Sequence, residues 1–110
     1  MDARVLAGGQ TLVPMLAMRL SRPSVLVDIT RIEALQGVAR QDDTLRIGAA
    51  TRQAAALSSQ MVQDAVPLLA KALRHVGHPP TRARGTLGGS VAHGDPSAEI
   101  PLAMAVLGAG

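Results

Sequence analysis

None of the 110 side chains is Phe, Tyr or Trp, so any core this chain builds must be assembled from short aliphatic groups. Aromatic residues usually dominate core energetics. Here 52 residues are apolar, but 19 of them are Ala and only 28 are Leu, Val or Ile. Each of those larger groups contributes roughly 1.5–3 kcal/mol when fully buried, whereas Ala buries little. One domain at most is expected from this length, with a thin margin of stability. Stacking of nucleic-acid bases on aromatic platforms is excluded. So is a disulfide-stapled module, because there is no Cys. Disorder does not fit 47% apolar content with a net charge of +3. No apolar run reaches the ~18–20 residues of a membrane span, and no signal-peptide pattern is present. The pI of 11.1 reflects ten Arg among eleven basic residues, scattered without a basic block. It implies a weak anion preference and no nucleic-acid footprint.

Periodicity and punctuation predict alternating strands and helices. Arg4–Ala7 reads as a short buried strand. A helix follows from a Thr11 cap through Leu20, with Pro14 in its first turn and Pro23 as its stop. Ser24–Ile29 reads as a second buried strand, and Ile32 and Leu35 as one tight helical turn. Segments 37–40 and 45–49 flank Gln41–Thr44 as a hairpin. Thr51 caps a helix to Ser58, and a longer helix covers 62–76, restarting at Pro67 and ending at Gly77. His78 opens a loop, residues 81–95 read as irregular, and Asp95-Pro96 opens a last helix to Leu107.

Three segments have the composition of ligand sites. Ala7, Gly8, Gly9, Gln10 and Thr11 lie between a strand and a helix start. Two glycines let backbone approach a ligand, and a helix start offers N–H groups to phosphate oxygens. An ordinary strand-to-helix turn would have the same composition, and neither G-x-G-x-x-G nor the Walker A pattern is present. Asp28, 20 residues after Gly8, weakly mimics the ribose carboxylate of a dinucleotide fold. Arg84-Gly85-Thr86-Leu87-Gly88-Gly89-Ser90 repeats the glycine-and-hydroxyl pattern. Thr86 and Ser90 have hydroxyls for phosphate or sugar oxygens, the glycines supply bare backbone and unusual dihedrals, and Arg82 and Arg84 could neutralise phosphate. A flexible surface loop is the alternative, but Leu87, Val91 and Ala92 anchor the segment to a core, and two such segments in one chain are better evidence than either alone. Finally, His93, Asp95 and Glu99, with His75 and His78, suggest a metal at first sight. Helix capping explains Asp95 and Glu99 more simply, and the spacing matches no ligand pattern. Ser90, His93 and Asp95 make no hydrolytic triad. No catalytic and no metal-ligating side chain is assigned.

Ala7-Gly8-Gly9-Gln10-Thr11-Leu12-Val13-Pro14, with Arg19-Leu20 and Pro23, resembles the A-G-G-[QH]-[ST]-L-x-P…R-L…P opening of one flavoprotein family. Leu26–Ile29 and Leu45–Thr51 continue the likeness in order. Arg84–Pro96 resembles its R-G-T-[IL]-G-G-[NS]-x-A-H-[AG]-D-P signature, 77 residues further on. The family is the FAD-binding medium subunit, or domain, of molybdenum hydroxylases such as carbon-monoxide dehydrogenase and xanthine dehydrogenase.

The resemblance implies FAD as cofactor, with its diphosphate on Ala7, Gly8, Gly9, Gln10 and Thr11. Thr86, Leu87, Gly88, Gly89 and Ser90 would line the same site, and Asp95 would lie near the flavin. It implies an α+β chain, residues 1–110 being the incomplete N-terminal part of a two-subdomain FAD-binding fold of the vanillyl-alcohol oxidase type. The role implied is cytoplasmic electron transfer from Fe–S clusters on a small subunit, which are reduced at a molybdenum cofactor on a large subunit. A non-catalytic phosphate-binding or assembly module, or a truncated product without activity of its own, is the alternative. Ala83, Thr81 and Pro79-Pro80 depart from the family pattern before the second motif. As a partial chain, it would sample its family's core incompletely, which accounts for the missing aromatics.

Overall fold

The computed structural model describes residues 3–20, 22–93 and 98–108. Strand β1 (Ala3–Leu6) pairs in parallel with β2 (Val25–Asp28), Ala3 opposite Val25 and Leu6 opposite Asp28. Helix α1 (Leu12–Ala17) connects them. It ends before Leu20 because the chain turns left-handed at Arg19, φ +58°. Arg19 N–H donates to the Leu16 carbonyl and Leu20 N–H to the Met15 carbonyl, the paired bonds of a Schellman stop. Thr11 occupies the N-cap position, but its side chain makes no capping bond.

A 3-10 turn at Glu33–Leu35 leads into the antiparallel hairpin β3 (Val38–Gln41) and β4 (Thr44–Ile47). The hairpin turn is tighter than the sequence suggests: Gln41 and Thr44 are the last paired residues, and Asp42 takes φ +53°. The helix expected over 62–76 restarts at Pro67 as read, and its first part begins two residues earlier, at Gln60. α2 (Gln53–Ser58) is followed by α3 (Gln60–Ala65) and α4 (Pro67–Arg74). Ser59 separates the first two, its hydroxyl accepting from Val62 N–H at 3.4 Å. Pro67 starts α4 at its first position, where the missing N–H is no loss.

Two stretches read as irregular are helical. Pro79–Arg84 forms α5, with both prolines in the first turn and His78 extended before them. Proline there is preorganised for a helix, a preference that outweighs the loop-like composition. Leu87–His93 forms α6. The last helix, α7, runs from Glu99 to Leu107 with Ala98 at its N-cap position. The expected Asp95-Pro96 opening lies outside the described residues. Thr51 does not cap α2, since Arg52 holds that position. Instead Thr51 Oγ1 accepts from Gly37 N–H (3.0 Å) and donates to the Gly37 carbonyl (3.3 Å), tying the hairpin to the helices.

The core is a single aliphatic cluster of Ala56, Val62, Leu69, Leu73, Leu87 and Ile100, with Val38, Leu45, Ile47 and Met104 packed on it. Helices α2, α3, α4, α6 and α7 supply its centre and the hairpin closes one side. The strands expected to be buried are not: Val5 is 60% exposed and Val27 47%. Parallel strands become buried only when helices cover both sheet faces, and α1, their one neighbour in the chain, buries none of its own residues. Among the described residues no helix is long and apolar enough to cross a membrane.

Leu73→Ala should lower unfolding free energy by about 2–5 kcal/mol, since it opens a cavity at the centre of the cluster. Leu20→Ala, at a side chain 69% exposed, should change it by less than about 0.5 kcal/mol. Urea denaturation of both variants checks the contrast.

Candidate functional site

Strand β1 delivers Ala7 to the edge of the helical layer, and the next two residues are glycine for different reasons. A Cβ on Gly8 would collide with the Arg84 carbonyl and lie 2.7 Å from Gly85 Cα. Gly8 is therefore where the first motif lies on the backbone of the second. Gly9 has φ +74°, a conformation that only glycine adopts freely. Among the described residues, the backbone N–H groups of residues 8–12 have no protein partner. They form a run of unused donors next to bare backbone.

The second motif is fastened rather than loose. Gln53 N–H donates to the Gly85 carbonyl (2.8 Å), Leu87 N–H to the Thr51 carbonyl (3.1 Å) and Gly88 N–H to the Ala49 carbonyl (2.8 Å). Thr86 pairs with Arg52 as an isolated β-bridge. Its hydroxyl accepts from Gly89 N–H at 3.0 Å and so caps α6. Leu87 turns inward and joins the core at 5% exposure. The bare backbone at Gly88 serves close packing, because a Cβ there would lie 2.7 Å from Ala49 Cβ. The unusual dihedrals expected of this segment are absent: of the glycines in the two motifs, only Gly9 has positive φ.

The two motifs face one open cleft of about 920 Å³, within the range of ligand pockets. Ala7, Gly8, Gly9, Gln10 and Thr11 line one wall, and Thr86, Gly88, Gly89 and Ser90 the other. Ala7 and Gly89 stand opposite each other, a Cβ on Gly89 falling 3.7 Å from Ala7 Cβ. Leu87 is not on the lining, and Asp95 lies outside the described residues. Arg82 and Arg84 are not on it either. Arg82 Nη1 donates to the Val76 carbonyl at 2.9 Å, and the Arg84 carbonyl accepts from Arg52 Nη1. Among the described residues, Arg4 is the arginine on the lining. Among the described residues no three His, Cys, Asp or Glu side chains converge as a metal site would require.

Asp28 does not reach the cleft lining. Thr30 Oγ1 (2.7 Å) and Thr30 N–H (2.9 Å) both donate to its Oδ1. These two bonds hold its carboxyl below the usual carboxylate range, outweighing partial desolvation, with lesser help from the charges of Arg31 and Arg52. It is the last residue of β2.

Sequence reasoning missed Gln53. It is 5% exposed and lines the cleft beside Thr86. Its Nε2 donates to the Thr86 carbonyl at 3.2 Å, while its Oε1 is buried without a partner among the described residues. One signal was available: Gln53 lies three residues before Ala56, on the helix face that is buried, where a polar residue is out of place.

The family of FAD-binding domains in molybdopterin dehydrogenases matches residues 1–110. The chain belongs to that family. It is 46% identical over 108 residues to the 6-hydroxypseudooxynicotine dehydrogenase complex subunit alpha of Paenarthrobacter nicotinovorans, covering 98% of this chain and 36% of the relative. It is 44% identical to the carbon monoxide dehydrogenase medium chain of Hydrogenophaga pseudoflava, covering 96% of this chain and 37% of the relative. The crystal structure of quinoline 2-oxidoreductase from Pseudomonas putida 86 superposes with a TM-score of 0.93 at 45% identity, over 96% of this chain and 37% of that one. The FAD-binding domain described here thus spans about a third of the length of the relatives it matches, and it shares their mixed helix-and-strand fold over that third. FAD is the cofactor of the family, and the residues present suit it. Among the described residues, unpartnered N–H groups and one orphaned buried acceptor meet in one cleft.

Gly8→Val should separate the two motifs by forcing a side chain into the Arg84–Gly85 backbone. FAD affinity should fall at least about 100-fold, the scale of losing several close contacts, with a lowered melting temperature. Fluorescence titration and a thermal melt check both. Asp28 supplies a pH test. Its folded-state pKa is depressed, so its stabilising contribution is present above the unfolded carboxylate pKa and is lost as pH falls through the folded one. Between pH ~7 and ~3 the wild type should lose more melting temperature than Asp28→Asn, which has no charge to titrate at that position.

Proposed function

We propose that the two motifs hold FAD between them, with the diphosphate on the Ala7–Thr11 backbone and the second wall formed by Thr86, Gly88, Gly89 and Ser90. Leu87 supports that wall from the core, and Asp95 lies toward the flavin. The observation that carries this reading is the contact at Gly8, which brings segments 77 residues apart into one cleft. Phosphate oxygens accept hydrogen bonds, and among the described residues the backbone N–H groups of residues 8–12 have no other acceptor. Bound there, the flavin supplies the redox chemistry, which is why the cleft needs no side-chain acid or nucleophile.

Residues 1–110 form part of a larger FAD-binding domain of the vanillyl-alcohol oxidase type in this reading. The relatives are named as the medium chain or a subunit of dehydrogenase complexes. By the same reading this chain serves a cytoplasmic complex in which a large subunit oxidises substrate at a molybdenum cofactor. A small subunit carries the electrons through Fe–S clusters to the FAD, and a final acceptor removes them.

Titration with FAD should quench flavin fluorescence saturably. ADP should compete and riboflavin should not, because the diphosphate is the part gripped. Saturable FAD binding insensitive to ADP would place the grip elsewhere. Absence of saturable binding would overturn the reading.

A further inference from the structure

We propose that Gln53 reads the sugar-alcohol part of the cofactor next to the diphosphate, its side-chain oxygen accepting a hydrogen bond from a hydroxyl of the ribityl or ribose chain. The inference rests on FAD lying between the two motifs, as proposed above.

The carboxamide has only one sensible orientation. Its NH₂ end donates to the Thr86 carbonyl at 3.2 Å, and the reverse orientation would set oxygen against oxygen. Glycine at position 85 leaves room for it: a Cβ there would lie 2.8 Å from Gln53 Nε2 and 3.1 Å from Cδ. The backbone N–H of the same residue holds the Gly85 carbonyl at 2.8 Å. Gln53 is thus tied to the second motif by two hydrogen bonds, and its side-chain oxygen is left over, buried and unpartnered among the described residues. A buried acceptor without a donor is rare and unfavourable. Since Gln53 lines the cleft, the missing donor can arrive with the ligand. The last torsion of a glutamine is broad, so a small turn presents the oxygen to the cleft while NH₂ stays near Thr86.

The chemistry of the ligand selects which part this is. A diphosphate is all acceptor and repels a carboxamide oxygen. Hydroxyls of the sugar-alcohol chains flanking it are donors. The first motif, with unused N–H groups, and Gln53, with an unused oxygen, are therefore complementary to adjacent parts of one dinucleotide. Gln53 would add selectivity for FAD over a bare diphosphate, which the first motif alone cannot provide.

The test compares affinity for FAD with affinity for inorganic pyrophosphate, measured by competition in the full chain. Gln53→Leu removes the acceptor and the Thr86 clamp. Gln53→Lys keeps a donor for Thr86 but no acceptor, and Gln53→Glu keeps an acceptor but no donor. The FAD-to-pyrophosphate affinity ratio should fall about fivefold or more in the Leu and Lys variants, the size of one lost hydrogen bond. It should stay near the wild-type value in the Glu variant, even if both affinities drop with the added charge. A purely structural role for Gln53 would weaken both probes equally and leave every ratio unchanged, which overturns the inference while leaving the FAD site standing. Wild type that binds pyrophosphate but not FAD overturns the cofactor placement along with it. If the variants do not fold, the side-chain carbonyl carbon resonance of Gln53 in the wild type decides. It should move on adding FAD and not on adding pyrophosphate, and an unmoved resonance with FAD bound sinks the proposal.

Discussion

The backbone bonds between residues 49–53 and 85–88 hold this molecule together. Through them Ala49, Thr51 and Gln53 fasten Gly88, Leu87 and Gly85 respectively, and the Thr51 hydroxyl carries the same connection on to the hairpin at Gly37. The segment that reads as a loop is consequently a fixed wall. Its first helical turn spends its N–H groups inside the protein, on the Thr51 and Ala49 carbonyls and on the Thr86 hydroxyl. Among the described residues the unspent backbone donors lie on the other motif, at residues 8–12. In the proposed binding mode the two glycine-rich segments, alike in sequence, have opposite roles: one grips while the other gives shape.

That difference limits what could be read from sequence. Strands β1 and β2, the hairpin, the break at Pro67 and the last helix were legible because their signals are local: β-branched runs, proline at a helix start, apolar residues at helical spacing. The Asp95 opening of the last helix falls outside the described residues. Thr51 was misread because a hydroxyl before a helix is usually a cap, and here a tertiary partner at Gly37 takes it instead. Pro79-Pro80 was misread because two prolines resemble a loop until a helix start is found beneath them. Gln53 was missed because its meaning depends on Thr86, 33 residues away. In the site, the motif positions were legible and their pairing across one cleft was not, since the contact at Gly8 comes from packing alone.

The lack of aromatic residues did not prevent a core. Leu69, Leu73, Leu87, Ile100 and Val62 are essentially sealed, and alanines such as Ala56 let the helices approach closely enough for these few larger side chains to meet. The cost lies in how far that core extends.

Every described residue that is buried lies at position 50 or beyond. The sheet and α1 therefore hold together by backbone pairing and half-covered side chains, while the later helices hold by full burial. Structures divided in this way open in parts, the thinly buried unit at lower free energy than the packed one. The cleft lies along that division, its donor wall on the weaker unit and its fixed wall on the stronger. A ligand that spans both walls joins two units of unequal stability, and its binding energy stabilises the weaker one directly. Amide hydrogen exchange in the first thirty residues would then report occupancy of a site whose other half barely responds.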